Sequence, residues 1–173
     1  MTGWRLRRAG ADHAPAVALI AAATFLETFA GILNGADIVA HVGAKSSTAM
    51  FAEWAEAPNS VVTIAEHNTG AAPVGYSLLT SPDFPLETRP DDIELRRIYA
   101  LSRFHGQGLG PALMERAIID ARALGGKRLL LGVLSRNDRA RRFYERQGFA
   151  LAGERRFLVG SSWFDDVIYA RDL

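Results

Sequence analysis

Residues 104–113 read Phe-His-Gly-Gln-Gly-Leu-Gly-Pro-Ala-Leu, and three glycines at alternate positions restrict what can lie on either side. Upstream, Ile98-Tyr99-Ala100-Leu101 closes a stretch in which β-branched and aromatic side chains favour a strand. Downstream, Leu109, Leu113, Ala117 and Leu124 recur at helical spacing, and Gly125-Gly126 ends the pattern. Gly106, Gly108 and Gly110 therefore stand where a strand turns into a helix. Glycine there lets the backbone take positive φ and lets a ligand approach with no Cβ in the way. The first N–H groups of the helix are unpaired and lie at its positive end, which suits a phosphate-type anion. Pro111 fits the first turn, where a missing N–H costs little.

Two common phosphate loops are excluded by spacing. A dinucleotide fingerprint needs G-x-G-x-x-G, but the third glycine position counted from Gly106 holds Pro111. A Walker loop needs a glycine-rich run ending in Lys-Ser or Lys-Thr, and Lys45-Ser46 lacks the upstream glycines. The remaining pattern resembles motif A of the GNAT superfamily of acyl-CoA N-acyltransferases, R/Q-x-x-G-x-G/A. Gly108 and Gly110 match it, and His105 stands where Arg or Gln is usual. Residues 131–149 resemble the superfamily's later strand followed by N-x-x-A-x-x-F-Y-x-x-x-G-F, through Asn137, Ala140, Phe143, Tyr144, Gly148 and Phe149. The two motifs stand in register and cover residues 94–149.

The resemblance implies an α/β chain: a single-domain GNAT fold over residues 1–173. Its sheet would be mixed, mostly antiparallel and seven-stranded, with helices on both faces and splayed central strands. It implies acetyl-CoA as co-substrate and no metal. His105, Gly106, Gln107, Gly108, Leu109, Gly110 and Pro111 would take the pyrophosphate. Ile98, Tyr99 and Ala100 would line the pantetheine arm and stabilise the oxyanion, and Asn137 would contact the cofactor. Tyr144 is implied as the donor that protonates the departing thiolate. Each position also has a plainer reading: Asn137 as a helix N-cap, Tyr144 as core, His105 as a solvated loop side chain.

The chemistry sets its own demands. A primary amine has a pKa near 10, so at pH 7 only about one molecule in a thousand is neutral, a handicap of about 4 kcal/mol. Something must take its proton, and Glu94 is the nearest carboxylate on the strand beside the site, acting through water. Attack on the thioester forms a tetrahedral oxyanion that calls for fixed N–H donors.

Composition fits one soluble domain: 173 residues, 49% apolar and 23% charged. A net charge of +1 argues against a dedicated nucleic-acid binder. There is no cysteine, so thiolate catalysis and cysteine metal sites are excluded. His13, His41 and His67 lack a metal spacing. The N-terminus has no apolar signal region, and the apolar run over residues 16–25 is too short to span a bilayer. A cytoplasmic protein without membrane contact is expected.

In chain order, Trp4–Arg7 alternates as a first strand. A helix follows with Asp12 as N-cap and Val17, Ile20, Ala21 and Phe25 as its stripe, running to Glu27. Residues 36–57 read as a second helical region with a break near Gly43. Residues 61–66 and 74–79 read as a hairpin around Asn68-Thr69-Gly70. Residues 80–92 form a proline-bearing loop, and residues 149–159 and 163–170 a closing antiparallel pair.

The acceptor is the open question. Residues 94–101 with 131–133, and residues 24–30, are most similar to the PaiA-type spermidine/spermine acetyltransferases. That likeness implies a small polyamine-like amine, with Phe25, Glu27 and Thr28 at the acceptor. RimI-type enzymes, which acetylate protein N-termini, usually carry glutamate where Gly132 stands. A protein or peptide amine, another small amine, and a non-catalytic acyl-CoA-binding module stay as alternatives. The terminal strands and Trp163-Phe164 suggest a homodimer.

Overall fold

The computed structural model describes residues 3–173. The chain opens with β1 (Trp4–Arg8), a 3-10 turn (Ala11–His13), and three helices: α1 (Ala14–Phe29), α2 (Gly35–Lys45) and α3 (Thr48–Glu56). β2 (Val61–His67), β3 (Pro73–Thr80) and β4 (Asp92–Ala100) follow, then a 3-10 turn (Ser102–Phe104) and α4 (Leu109–Ala123). β5 (Arg128–Leu134), α5 (Asp138–Arg146), β6 (Ala150–Val159) and β7 (Ser162–Asp172) complete it. The strands form one seven-stranded sheet in the order β1-β2-β3-β4-β5-β7-β6. Every neighbouring pair is antiparallel except β4–β5.

Strand alternation divides the core into two faces. Val62, Ile64, Tyr76 and Leu78 meet Val17, Ile20 and Phe51 of α1 and α3 on one face. Leu79, Leu95, Leu129, Leu131 and Val167 meet Met114, Ala117 and Tyr144 of α4 and α5 on the other.

The β4–β5 pair positions the site. These strands match only over Asp92↔Arg128, Ile93↔Leu129 and Glu94↔Leu130. β4 then continues to Ala100 on β3, while β5 continues to Leu134 on β7. The two strands thus diverge into a wedge whose sides carry main-chain groups turned away from β3 and β7. The Arg128 guanidinium clamps its closed end, bonding both oxygens of buried Asp92 at 2.8 and 2.6 Å. A bulge between Leu78 and Leu79 leaves Arg96 without a cross-strand partner, which bends β4 at the mouth of the wedge.

Three local expectations are corrected. Asp12 does not cap α1: it lies in the 3-10 turn, pairs with His13, and makes no capping bond, and α1 starts at Ala14 with Pro15 in its first turn. α1 also runs past Glu27 to Phe29, because nothing before Gly31 breaks it. The second helical region breaks at Ser46-Ser47, where the Ser47 hydroxyl caps α3 by accepting from Met50 N–H at 3.2 Å. Gly43 stays inside α2. No helix among the described residues is long and apolar enough to cross a membrane.

Candidate active site

The glycine turn joins β4 to α4 as its spacing implies. Gly106 (φ +75°) and Gly108 (φ +82°) both adopt left-handed conformations that side chains disfavour, and Gly108 is the N-cap of α4. A Cβ at either would meet open space, so the reason for glycine is backbone shape and access, not crowding. The N–H groups of Gly106, Gly108, Leu109 and Gly110 have no backbone partner among the described residues. The loop's side chains turn inward: His105 Nε2 donates to Ala100 O at 2.9 Å and Gln107 Nε2 to Arg103 O at 2.7 Å. His105 therefore ties the turn to the end of β4, and its own N–H is taken up by Ser102 O at 2.9 Å. Pro111 occupies the third position of α4, and Gly110 packs against the Phe143 ring.

Across the wedge, Asn137 caps α5: its Oδ1 accepts from Ala140 N–H at 3.2 Å. That bond sets the helix that presents Tyr144. The Tyr144 ring is buried among Phe143, Phe149 and Tyr169, at centroid distances of 5.4, 6.1 and 6.4 Å. Its hydroxyl makes no hydrogen bond among the described residues. Burial, with a smaller contribution from Tyr99, pushes this phenol well above the usual tyrosine range. It stays protonated at any working pH, as a proton donor must. On β4, Ile98 packs toward α4, while Tyr99 stacks on Tyr76 at 6.0 Å on the other face. Burial raises the Tyr99 phenol; Arg97 works against this, and the Asp166 carboxylate adds a smaller push in the same direction as burial.

Glu94 is buried near the closed end of the wedge, one residue short of the divergence. It accepts from Asp83 N–H at 2.9 Å and from Arg96 at 3.1 Å. Burial nevertheless lifts its carboxyl above the ordinary range, against the pull of Arg96. Glu27 is exposed and accepts from both the N–H (2.9 Å) and the hydroxyl (2.6 Å) of Ser102, fastening α1 to the end of β4. The Ser102 hydroxyl is what holds the Glu27 carboxyl low. Thr28 bonds back to Thr24 O at 2.7 Å within α1. Phe25 stacks on His41 at 4.4 Å and lies tilted against Phe29 at 4.5 Å, and burial depresses the His41 imidazole. These aromatics, with Leu33, Ile38, Val159 and Phe164, make an apolar wall between α2 and the β6–β7 hairpin.

Beside that wall lies a cleft of about 530 Å³ lined by Ser135, Glu154, Arg155, Arg156, Asp165 and Asp166. No sequence motif singles out Arg155 or Asp166. Their cross-strand pairing on β6 and β7 carries no motif; only two charges at inward-facing hairpin positions could have signalled them. No cluster of metal-ligating side chains occurs among the described residues.

Residues 27–149 match the model of the acetyltransferase (GNAT) family. An uncharacterised N-acetyltransferase of Mycobacterium bovis is 34% identical over 157 residues, spanning 91% of this chain and 96% of its own length. An uncharacterised N-acetyltransferase of Mycobacterium tuberculosis matches equally well. Among solved structures, PaiA N-acetyltransferase from Thermoplasma acidophilum in complex with coenzyme A superposes with a TM-score of 0.79 at 18% identity. That match covers 98% of this chain and 99% of that one. YncA from Salmonella typhimurium with acetyl-CoA gives 0.75 at 22%, covering 98% and 94%. The chain belongs to the acetyltransferase (GNAT) family.

Proposed function

We propose that this acetyl-CoA-dependent N-acetyltransferase acts on a small primary amine of polyamine type. The observation that carries the reading is the wedge itself: a main-chain slot between β4 and β5, closed at Asp92 and Arg128 and open at its far end, with the glycine turn on one side of the mouth and the charged cleft on the other. Acetyl-CoA fits the glycine side of that mouth, since the N–H groups of Gly106, Gly108, Leu109 and Gly110, free of backbone partners among the described residues, suit a pyrophosphate and the freed edge of β4 at Ile98, Tyr99 and Ala100 suits a pantetheine amide. The same N–H groups of β4 supply donors for the oxyanion.

Tyr144 then protonates the leaving sulfur. The amine's proton must go to a carboxylate on the acceptor side; Glu94 is the carboxylate to which the sequence points, but it is buried against Arg96 and does not line the cleft. The cleft holds three carboxylates, of which Asp166 and Asp165 pair with Arg155 and Arg156, and the third, Glu154, leaves a negative balance that suits an ammonium ligand. Phe25, with Phe29 and His41, offers an aliphatic amine an apolar surface, and Glu27 and Thr28 hold the helix that carries it. The exposed Leu151, Leu158 and Trp163 on the edge hairpin favour pairing of two copies.

Thiol release from acetyl-CoA, measured across polyamines, amino acids and peptides, tests the reading. Turnover with polyamines supports it. Turnover confined to peptide amines overturns the acceptor class, and no turnover with any amine overturns the enzyme.

A further inference from the structure

The reaction needs a carboxylate at the level where the amine meets the thioester, and the strand registers show which one stands there. Glu94 is opposite Leu130, at the closed end of the wedge. Tyr99 is five residues further along β4, about 16 Å away at strand rise. On the other side, Asp166 is opposite Leu134, four residues or about 13 Å beyond Leu130 on β5. Asp166 therefore stands at the open end, level with Tyr99, and its charge acts on that phenol. Burial, with a smaller contribution from Tyr99, also raises the Tyr144 phenol. Asp166 is also buried yet lines the acceptor cleft, whereas Glu94 does not.

The partners differ in the same direction. Glu94 is held by a main-chain N–H and an arginine, both fixing the loop over residues 81–91 and the bulge of β4. Among the described residues, only Arg155 Nε donates to Asp166, to one oxygen at 3.1 Å. The other charged or titratable groups facing Asp166 are Asp165 on its own strand and Tyr99 on β4. Glu94 and Arg96 lie beyond Arg155. Arg155 is itself braced by the Phe84 ring at 4.9 Å.

We infer that Asp166 faces the acceptor amine directly and takes its proton, with Arg155 as its positioning residue. This rests on the acetyl-transfer reading above. The ammonium loses one proton to Asp166, which passes it to water, and the freed nitrogen bonds to the thioester carbon. As the carbon–sulfur bond breaks, sulfur takes a proton from Tyr144, and the nitrogen's second proton returns through water to restore the Tyr144 hydroxyl. The net change is one amide, one thiol and one proton released.

The test compares Asp166→Asn and Glu94→Gln on two acceptors, a strongly basic alkyl amine and a weakly basic aryl amine already neutral at the assay pH. Asp166→Asn is expected to lower kcat/KM for the alkyl amine by about 10²–10⁴-fold and to spare the aryl amine to within about tenfold. A group needed only for structure would lower both alike, and equal losses overturn the inference. Glu94→Gln gives a check that does not depend on the Asp166 variant folding. The acid limb of the kcat/KM profile is expected to survive in Glu94→Gln, and its disappearance there overturns the inference. Wild-type inactivity toward every amine overturns the acetyl-transfer reading along with it.

Discussion

Gly132 lacks a side chain where the Arg155 guanidinium lies: a Cβ built there would stand 2.7 Å from Nη2. The guanidinium is thus laid over β5 at the level of the wedge, between Asp166 and Phe84. Because the obstructed group is the end of a flexible side chain, Gly132→Ala should move Arg155 without unfolding the protein. The melting temperature is expected to stay within a few degrees, while KM for the amine rises and binding of acetyl-CoA is unchanged. Calorimetry with acetyl-CoA and steady-state kinetics with the amine separate the two effects.

Gly108 has open space around it but a left-handed backbone. Gly108→Val should strain the turn by about 1–3 kcal/mol and push a side chain into the anion-facing surface. Acetyl-CoA affinity is expected to fall at least tenfold, with amine binding little affected. Unchanged cofactor affinity in a folded variant would remove the turn from the binding site.

Asp92 and Arg128 fix the closed end of the wedge, and their linkage has a definite sign. Burial pushes the Asp92 carboxyl up, but Arg128 and the Arg89 N–H hold it below its ordinary value. A depressed carboxylate contributes stability above its unfolded pKa of about 3.9, and that contribution disappears as pH falls through the folded value. Asp92→Asn should therefore lose about 3–5 kcal/mol near neutral pH, since Arg128 is left without its partner. The deficit should narrow below about pH 4. Urea unfolding at several pH values measures both.

Much of this arrangement was legible in the sequence because it depends on local chemistry. The strand–glycine–helix passage through Gly106, Gly108 and Gly110 is written in backbone permissiveness. The Asn137 helix is written in a cap and a repeating apolar face. The break falls at Ser46-Ser47 and not near Gly43, because the Ser47 hydroxyl caps α3 and outweighs the low helix propensity of Gly43. Asp12 looked like a cap by type, yet Pro15 and the 3-10 turn decided where α1 starts. Arg155 and Asp166 were illegible for a different reason. Their pairing depends on the β6–β7 register and on the space left by Gly132, neither of which is a property of a short stretch of sequence.

The edge hairpin gives a prediction about assembly. Leu151, Leu158 and Trp163 are each more than half exposed along the outermost strands. If they pair two copies, Trp163→Glu should convert a dimer into a monomer in sedimentation velocity at micromolar concentration. A wild-type monomer under those conditions would contradict it.

The central claim is that Tyr144 delivers a proton to the sulfur leaving through the wedge, and one substitution tests it most directly. Tyr144→Phe keeps the ring among Phe143, Phe149 and Tyr169 and removes only a hydroxyl that makes no hydrogen bond among the described residues. Stability should hardly change. The measurement is single-turnover release of thiol from acetyl-CoA with a polyamine acceptor, alongside the Kd for acetyl-CoA. The chemical step is expected to slow by about 10²–10⁴-fold, with Kd unchanged, because the interaction removed is made in the transition state. A well-folded Tyr144→Phe protein that releases thiol at the wild-type rate would contradict the account.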